Sequence, residues 1–139
     1  MIAVDTSALM AILLGEPEAD ACAQALEEAD ALWISTATVA EALIVAARRG
    51  VEEEMQALID GLGFEEAAVT PAAARRVARA YGRWGKGAHP AALNFGDCFS
   101  YETAMSADCP LLYVGDDFAR TDVKSGLNAD LTPPRTDRG

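Results

Sequence analysis

Cysteine and histidine are scarce in this chain, which limits the kinds of metal and redox site it can form. It has three cysteines, an odd number without CxxC spacing, and one histidine. A disulfide framework and a zinc site are therefore disfavoured, and free thiols fit a reducing compartment. The sequence also lacks a Gly-rich phosphate loop and a dinucleotide-binding fingerprint.

Long apolar runs are missing as well. Asp5 interrupts the first apolar run, and the longest uncharged apolar stretch, residues 6–15, is too short to span a bilayer. We therefore expect no signal peptide, no membrane segment and a cytoplasmic protein. Aromatic residues make up only 6% of the chain. Trp33 and Trp84 are predicted to lie in the core or an interface, because a base-stacking platform would need more exposed aromatic residues.

Basic residues are few. The chain has 11 Lys and Arg residues and 22 Asp and Glu residues, which gives a net charge of −11. This balance argues against loose, non-specific nucleic-acid binding, which depends on neutralising phosphates. It does not exclude a nucleic-acid enzyme, because substrate binding by such an enzyme depends on local charge and bound metal. We expect one domain over residues 1–127 and a disordered tail over residues 128–139, which have almost no apolar anchor.

Short apolar or β-prone segments alternate with helical patterns along the chain. The strand candidates are residues 1–4, 31–35, 65–70 and 110–115. Strands that alternate with helices favour a parallel sheet covered on both faces. The sequence therefore predicts an α/β fold, a three-layer sandwich with a central, mainly parallel sheet flanked by helices.

Four carboxylates follow such segments at distant points of the sequence: Asp5, Glu41, Asp97 and Asp116. An α/β fold gathers distant residues at the carboxyl ends of its strands. Four acids in one crevice would repel one another, so the cluster must either take up protons or bind a cation. Oxygen ligands favour Mg²⁺ or Mn²⁺, which can assist in-line displacement at a phosphate.

Each acid also has a structural alternative. Asp5 and Asp97 could cap helices, and Asp116 and Asp117 could be turn residues. Glu41 could be a solvated residue on a helix, although it lies beside the apolar stripe of that helix, where a carboxylate needs a partner. The joint placement of the acids at predicted strand ends is what indicates a site.

A cluster of cations forms a second signal. Arg75, Arg76, Arg79, Arg83 and Lys86 are five of the eleven basic residues. Arg75, Arg79 and Arg83 repeat at i, i+4 spacing, opposite Val77, Tyr81 and Trp84. Three alternatives fit: a solvated helix face, a surface for phosphates, and a surface for an acidic partner segment. We name Arg75, Arg79, Arg83 and Lys86 the basic strip.

The acids lie in four segments: MIAVDTSALMAILLGEPEA, STATVAEALIVAARRG, HPAALNFGDCFSYETA and PLLYVGDDFARTDV. In this order they resemble the motifs of the PIN-domain ribonucleases, specifically the VapC-like toxins of toxin–antitoxin pairs. The resemblance covers residues 1–127, and LNFGDCFSY is its most specific part. A haloacid-dehalogenase-like phosphatase would need a second Asp where Ser7 stands. A phosphoreceiver domain would need its paired acids after the first strand.

The resemblance assigns roles by position. Asp5, Glu41, Asp97 and Asp116 fall on the family's acidic metal site, with Asp5 and Asp97 as the most direct metal ligands. Either Asp116 or Asp117 is the fourth acid. Two further residues, Thr6 and Ser7, fall where the family has a hydroxyl near the metal.

The resemblance also implies an activity and partners. It implies an Mg²⁺- or Mn²⁺-dependent endoribonuclease that cuts tRNA or ribosomal RNA and so halts translation. It further implies a homodimer and a cognate VapB-like antitoxin that blocks the site. The alternative is a catalytically silent module that only binds an antitoxin. The sequence does not favour this alternative, because no acid position is replaced.

Overall fold

The computed structural model of the protein describes residues 1–127, and the tail predicted over residues 128–139 lies outside them. The strands are β1 (Ile2–Val4), β2 (Leu32–Ser35), β3 (Glu65–Ala67) and β4 (Leu111–Leu112). The helices are α1 (Thr6–Leu14), α2 (Ala19–Glu28), α3 (Thr36–Arg48), α4 (Glu52–Leu62), α5 (Pro71–Trp84) and α6 (Phe95–Ala107). A short 3₁₀ helix, Phe118–Arg120, follows β4.

The four strands form one sheet in the order β3-β2-β1-β4, and every pairing in it is parallel. The predicted parallel sheet is therefore confirmed. Parallel strands place their carboxyl ends along one edge, which we name the carboxyl edge. β1 is central, so the residues that follow it lie in the middle of this edge.

Both faces of the sheet are covered by helices. Ile2 and Val4 belong to the apolar core shared with α1–α4, whereas Ala3 between them belongs to the core of α5 and α6. This alternation is the period of two expected for a strand. Leu111 and Leu112 divide between the two cores in the same way. The three-layer prediction is confirmed. Among residues 1–127, no helix has the length and apolar character needed to cross a membrane.

The last strand is shorter than the predicted segment 110–115. β4 ends at Leu112 because the next backbone groups have other partners. The Val114 N–H donates to the side-chain oxygen of Ser7 at 3.0 Å. Gly115 has a φ of 107°, which turns the chain and which L-residues rarely adopt. The residues that follow therefore leave the sheet at its carboxyl edge.

Helix α5 buries a slightly different stripe from the predicted one. Val77 and Trp84 are buried, but Tyr81 is 40% exposed. The buried positions follow a 4-3-4 spacing, which leaves Tyr81 at the edge of the stripe: Ala73, Val77, Ala80 and Trp84. The sequence predicts that glycines loosen the end of α5 and that a loop follows as far as Phe95. The loop is confirmed, since residues 85–94 form turns, but it is well packed: Gly85 pairs with Leu93, and Leu93 is fully buried.

Two glycines of the α5 end provide a test of this packing. A Cβ at Gly85 would overlap the carbonyl oxygen of Tyr81 and lie 2.9 Å from the Tyr81 ring. We expect Gly85→Ala to lower the free energy of unfolding by about 1–3 kcal/mol, the usual cost of overpacking. A Cβ at Gly82 would meet nothing within 4 Å. Gly82→Ala should therefore raise stability by up to about 1 kcal/mol. Urea unfolding of both variants measures this difference, and equal effects would contradict it.

Candidate active site

Asp5 lies directly after β1 and is held by three hydrogen bonds. One carboxylate oxygen accepts from the backbone N–H of Ser7 at 3.0 Å and from the Ser7 hydroxyl at 2.7 Å. The other oxygen accepts from the hydroxyl of Ser100 on α6 at 2.6 Å. Asp5 is only 4% exposed. It therefore caps α1 and is also a fixed, buried carboxylate at the carboxyl edge.

The hydroxyls around Asp5 connect four parts of the chain. Ser7 accepts from the backbone after β4, at Val114. Ser100 lies 3.3 Å from the hydroxyl of Thr38 on α3. The predicted hydroxyl position at Ser7 thus contacts an acid of the site, and the contact of Thr6 and Ser7 with a phosphate or metal remains a prediction.

Glu41 on α3 approaches the same region from the side. Its carboxylate is partly buried and accepts a hydrogen bond from the Thr6 hydroxyl at 2.7 Å. Burial raises the pKa of Glu41, the Asp5 charge raises it further, and the hydrogen bond from Thr6 opposes both. The same carboxylate packs against Gly96, where any Cβ would overlap it. A Cβ at position 96 would therefore displace the end of the Glu41 side chain.

Asp97, considered from the sequence as a possible helix cap, is not the N-cap residue of its helix. α6 begins at Phe95, and Asn94 is its N-cap. The Asn94 side chain accepts from the Asp97 N–H at 2.8 Å, and the Asp97 carboxylate accepts from the Asn94 N–H at 3.0 Å. These two reciprocal bonds form a capping box. Asp97 therefore occupies the third helical position and faces back toward the carboxyl edge.

The pKa of Asp97 shows that the acids act on one another. Burial raises this pKa to about 6, against a hydrogen bond from the Asn94 backbone that lowers it. The charges of Asp5, Glu41 and Asp117 raise it as well. Acids from three other segments, Asp5, Glu41 and Asp117, thus lie within electrostatic reach of the Asp97 carboxylate.

The adjacent acids after β4 differ in their effect. Both Asp116 and Asp117 are exposed. Only the charge of Asp117 is among those that raise the pKa of Asp97. The assignment of Asp116 to the site remains a prediction, and Asp117 is the alternative that the electrostatics favour.

The donor set suits a hard divalent ion. Carboxylate oxygens are the ligands that Mg²⁺ and Mn²⁺ prefer, and a cation would offset the repulsion that raises the pKa of Asp97. Within residues 1–127, however, no three acidic, histidine or cysteine side chains converge as a finished metal-binding group. The two observations agree, because charges act over several ångströms whereas a Mg²⁺–oxygen contact is about 2.1 Å. The residues fit the ion in chemistry and charge, and would have to draw closer to bind it.

The basic strip divides into residues with and without partners. Arg75 donates to the Pro71 carbonyl of its own helix, and Arg83 lies 3.7 Å from Asp122 and 4.4 Å from the Trp84 ring centre. Within residues 1–127, Arg79 forms no ion pair. The neighbouring Arg76, outside the strip, is paired with Glu102 of α6 at 2.9 Å.

A groove between α5 and α6 continues the strip. Arg79 and Arg83 line it together with Arg76 and Tyr101. The backbone N–H of Lys86 donates to Leu93, which lies two residues before α6 begins. The strip therefore leads from this groove toward the end of α6 that carries Asp97.

Sequence reasoning missed two contacts of the site and one cap. Ser100 lies three residues after Asp97 on the buried side of α6, and a hydroxyl at such a position signals a partner in the core. Asn94 precedes Asp97 by three residues, which is the capping-box spacing. The sequence suggests that Gly96 permits a turn, whereas the residue accommodates the Glu41 carboxylate. No sequence pattern identifies that contact.

The raised pKa of Asp97 predicts a pH dependence of stability in the metal-free protein. Its folded value of about 6 exceeds the ordinary 3.8, so between these values the folded protein binds more protons than the unfolded chain. The free energy of unfolding should therefore fall as pH rises from about 4 to about 6. Asp97→Asn should flatten this fall.

Urea unfolding in EDTA across this pH range measures the effect. Asp108→Asn is the matched control, because it changes an exposed acid at the other end of the same helix. An equal pH dependence in the wild type and Asp97→Asn would contradict the shift.

Comparison with known proteins places this site in a family. The PIN domain family matches residues 2–124. The chain is 45% identical over 125 residues to Ribonuclease VapC36 of Mycobacterium tuberculosis. That alignment covers 87% of this chain and 90% of the relative.

Solved structures agree on the fold. The VapC20 toxin of Mycobacterium tuberculosis, described as cleaving the sarcin–ricin loop, has a TM-score of 0.71 at 16% identity. The alignment covers 88% of this chain and 96% of VapC20. A toxin–antitoxin complex from Klebsiella pneumoniae has a TM-score of 0.66 at 22% identity, with 88% and 93% covered. The family match, the VapC relative and these folds confirm the resemblance seen in the motifs: the chain belongs to the PIN-domain family and groups within it with the VapC proteins.

Proposed function

We propose that the protein is an Mg²⁺- or Mn²⁺-dependent endoribonuclease and the toxin of a toxin–antitoxin pair. The observation that carries the proposal is the convergence of Asp5, Glu41 and Asp117 on Asp97, whose pKa their charges raise. The 45% identity to a protein named as a VapC ribonuclease supports the same activity. Perturbed acids clustered at the carboxyl edge of a parallel sheet are typical of an active site.

Asp5 and Asp97 would hold the metal, with Asp116 or Asp117 as a further ligand. When bound, Mg²⁺ or Mn²⁺ would supply stabilisation of the negative charge that develops on the phosphate. Asp5 suits this role because Ser7 and Ser100 fix its carboxylate. Asp97 suits it because a pKa of about 6 leaves it ionised at neutral pH.

Glu41 would act on the water that attacks the phosphodiester. Its raised pKa makes it a better proton acceptor than an exposed glutamate, and Thr6 holds it in place. The basic strip would bind the RNA backbone on its way to the acids. We place the substrate in the tRNA or ribosomal RNA class, a choice supported by the described target of VapC20.

The partners follow from the same proposal. A VapB-like antitoxin would bind the protein and block its site, which the toxin–antitoxin complex of the similar fold from Klebsiella pneumoniae supports. We propose a homodimer and a cytoplasmic location as well. The alternative is a silent module that binds an antitoxin without cutting RNA. The lack of a finished metal-binding group within residues 1–127 supports this silent module.

Cleavage of RNA decides between the two functions. We expect purified protein, freed of any bound partner, to cut total RNA into defined fragments with Mg²⁺ or Mn²⁺ but not with EDTA. Asp97→Asn should abolish cleavage and weaken Mn²⁺ binding in calorimetry, because it removes a charged ligand. Asp108→Asn, the same change at the far end of α6, should leave both intact. Wild-type protein that binds an antitoxin but cuts no RNA with either metal would favour the silent module.

The basic strip is tested by the salt dependence of RNA binding. Replacing Arg79 and Lys86 by Gln should weaken binding of a single-stranded RNA. It should also reduce the slope of log affinity against log salt by about 0.7 for each phosphate that the strip no longer neutralises. Replacing Arg48 and Arg49 at the end of α3 removes the same charge elsewhere and should change neither quantity much. Equal slopes for the two double variants would show that the strip has another role.

A further inference from the structure

Phe95 is the most exposed large apolar side chain within residues 1–127, with 70% of its surface accessible. A single exposed apolar residue needs no special explanation. The position of Phe95 needs an explanation, because Phe95 is the first residue of α6 and lies two residues before Asp97. The residue between them, Gly96, packs against the Glu41 carboxylate.

The ring of Phe95 is supported by a neighbour on the same helix. Phe99 lies one turn further along α6, and the two ring centres are 4.9 Å apart with their planes at 90°. Phe99 is itself packed against the core between the sheet and the helices α5 and α6. A perpendicular pair leaves at least one face of the Phe95 ring uncovered by Phe99. The exposed Phe95 ring therefore has an aromatic contact on one side and an open face.

The start of α6 fixes this ring relative to the acids. The reciprocal hydrogen bonds between Asn94 and Asp97 close the first turn, and Phe95 lies inside that turn. One helical turn rises about 5.4 Å, so the Phe95 backbone is within one turn of the Asp97 backbone. Residues two apart point to different sides of a helix, so the ring and the Asp97 carboxylate share the first turn of α6 and not a face. A group bound on the ring would lie at the same end of α6 as the acidic site.

We propose that Phe95 is a stacking platform for an unpaired nucleobase that flanks the phosphodiester cut at the acids. The inference rests on the proposed function and adds a residue that selects and holds the substrate. The acids repel phosphates, so RNA beside them must be retained by uncharged contacts as well as by metal. Every base has an uncharged π-face that an open aromatic ring can stack against.

A protein interface is the other use of an exposed phenylalanine. Ile44 is 54% exposed and lies three residues after Glu41 on α3, on the same side of that helix. A protein partner would cover both Ile44 and Phe95. A stacked base would need only Phe95, because a branched aliphatic side chain offers no π-face. The perpendicular support by Phe99 and the closeness of the acids favour the base.

The test is a double-mutant cycle, in which the Phe95 ring and one base of the RNA are removed singly and together and the binding affinities are compared. A short single-stranded RNA that the protein cuts is prepared intact and with an abasic nucleotide on either side of the cut. Binding is measured with Mg²⁺ in an Asp97→Asn background, which prevents cleavage. Phe95→Ala should weaken binding of intact RNA about 5- to 150-fold, the range for loss of one stacked base. It should not weaken binding of the RNA that is abasic at the stacked position.

Three further variants make the cycle specific. Phe95→Trp should keep the affinity and Phe95→Leu should lose most of it, because leucine is apolar but cannot stack. Val69→Ala removes a 39% exposed apolar side chain between β3 and α5 and should have no effect. A 2-aminopurine at the stacked position should be quenched by wild type and Phe95→Trp, and not by Phe95→Ala. Circular dichroism and thermal unfolding should be unchanged, since the replaced ring is mostly exposed.

Two results overturn the platform. Equal affinity of wild type and Phe95→Ala for intact RNA does so directly. Dissociation of a protein assembly by both Phe95→Ala and Ile44→Ala, with no change in RNA binding, does so in favour of a protein interface. The proposed nuclease is judged separately, by cleavage. Cleavage by wild type without coupling overturns the platform alone. If wild type cuts no RNA, the same cycle is run on a single-stranded RNA that the protein binds, with an abasic nucleotide at each position in turn. Coupling at one position of that RNA sustains the platform and overturns the nuclease.

Discussion

The carboxylates of Asp5, Glu41 and Asp117 lie close enough to Asp97 for their charges to raise its pKa. Bringing like charges together opposes folding. Hydroxyl groups offset part of this cost by donating hydrogen bonds to the buried carboxylates. Ser7 and Ser100 donate to Asp5, and Thr6 donates to Glu41. These hydroxyls fix the carboxylates of Asp5 and Glu41 in place. Burial and the remaining repulsion both raise the pKa of Asp97, and a divalent ion would offset the repulsion.

The helices that carry the acids also order the charge around them. α6 presents Asp97 at its start and Glu102 five residues later, where Glu102 neutralises Arg76. Arg79, Arg83 and Lys86, which have no such buried ionic partner within residues 1–127, lie in the second half of α5 and just beyond it. A chain with a net charge of −11 therefore carries a local run of cations that leads toward its acidic site, which is the path proposed for RNA. The same turn that fixes Asp97 holds the exposed ring of Phe95.

Much of this arrangement could be read from the residues. The alternation of apolar segments predicted the three-layer fold, and the acids after those segments predicted a shared edge. The capping role of Asp5 and its place in the site proved to be compatible. The sequence predictions were wrong where contacts between distant residues determine the structure. β4 stopped early because Val114 bonds to Ser7, and Tyr81 left the buried stripe because α5 packs on a 4-3-4 spacing.

By itself the sequence determined the order of strands and helices, the candidate acids and the family, because these depend on local pattern and motif. Only the tertiary structure decided which groups meet. Ser100 reaches Asp5 across 95 residues of sequence, and the Glu41 carboxylate rests on Gly96. It also decided that Asp117 acts on Asp97 and that Phe95 stays exposed. Such pairings depend on how helices pack across a sheet, and no spacing along the chain encodes a distance between two helices.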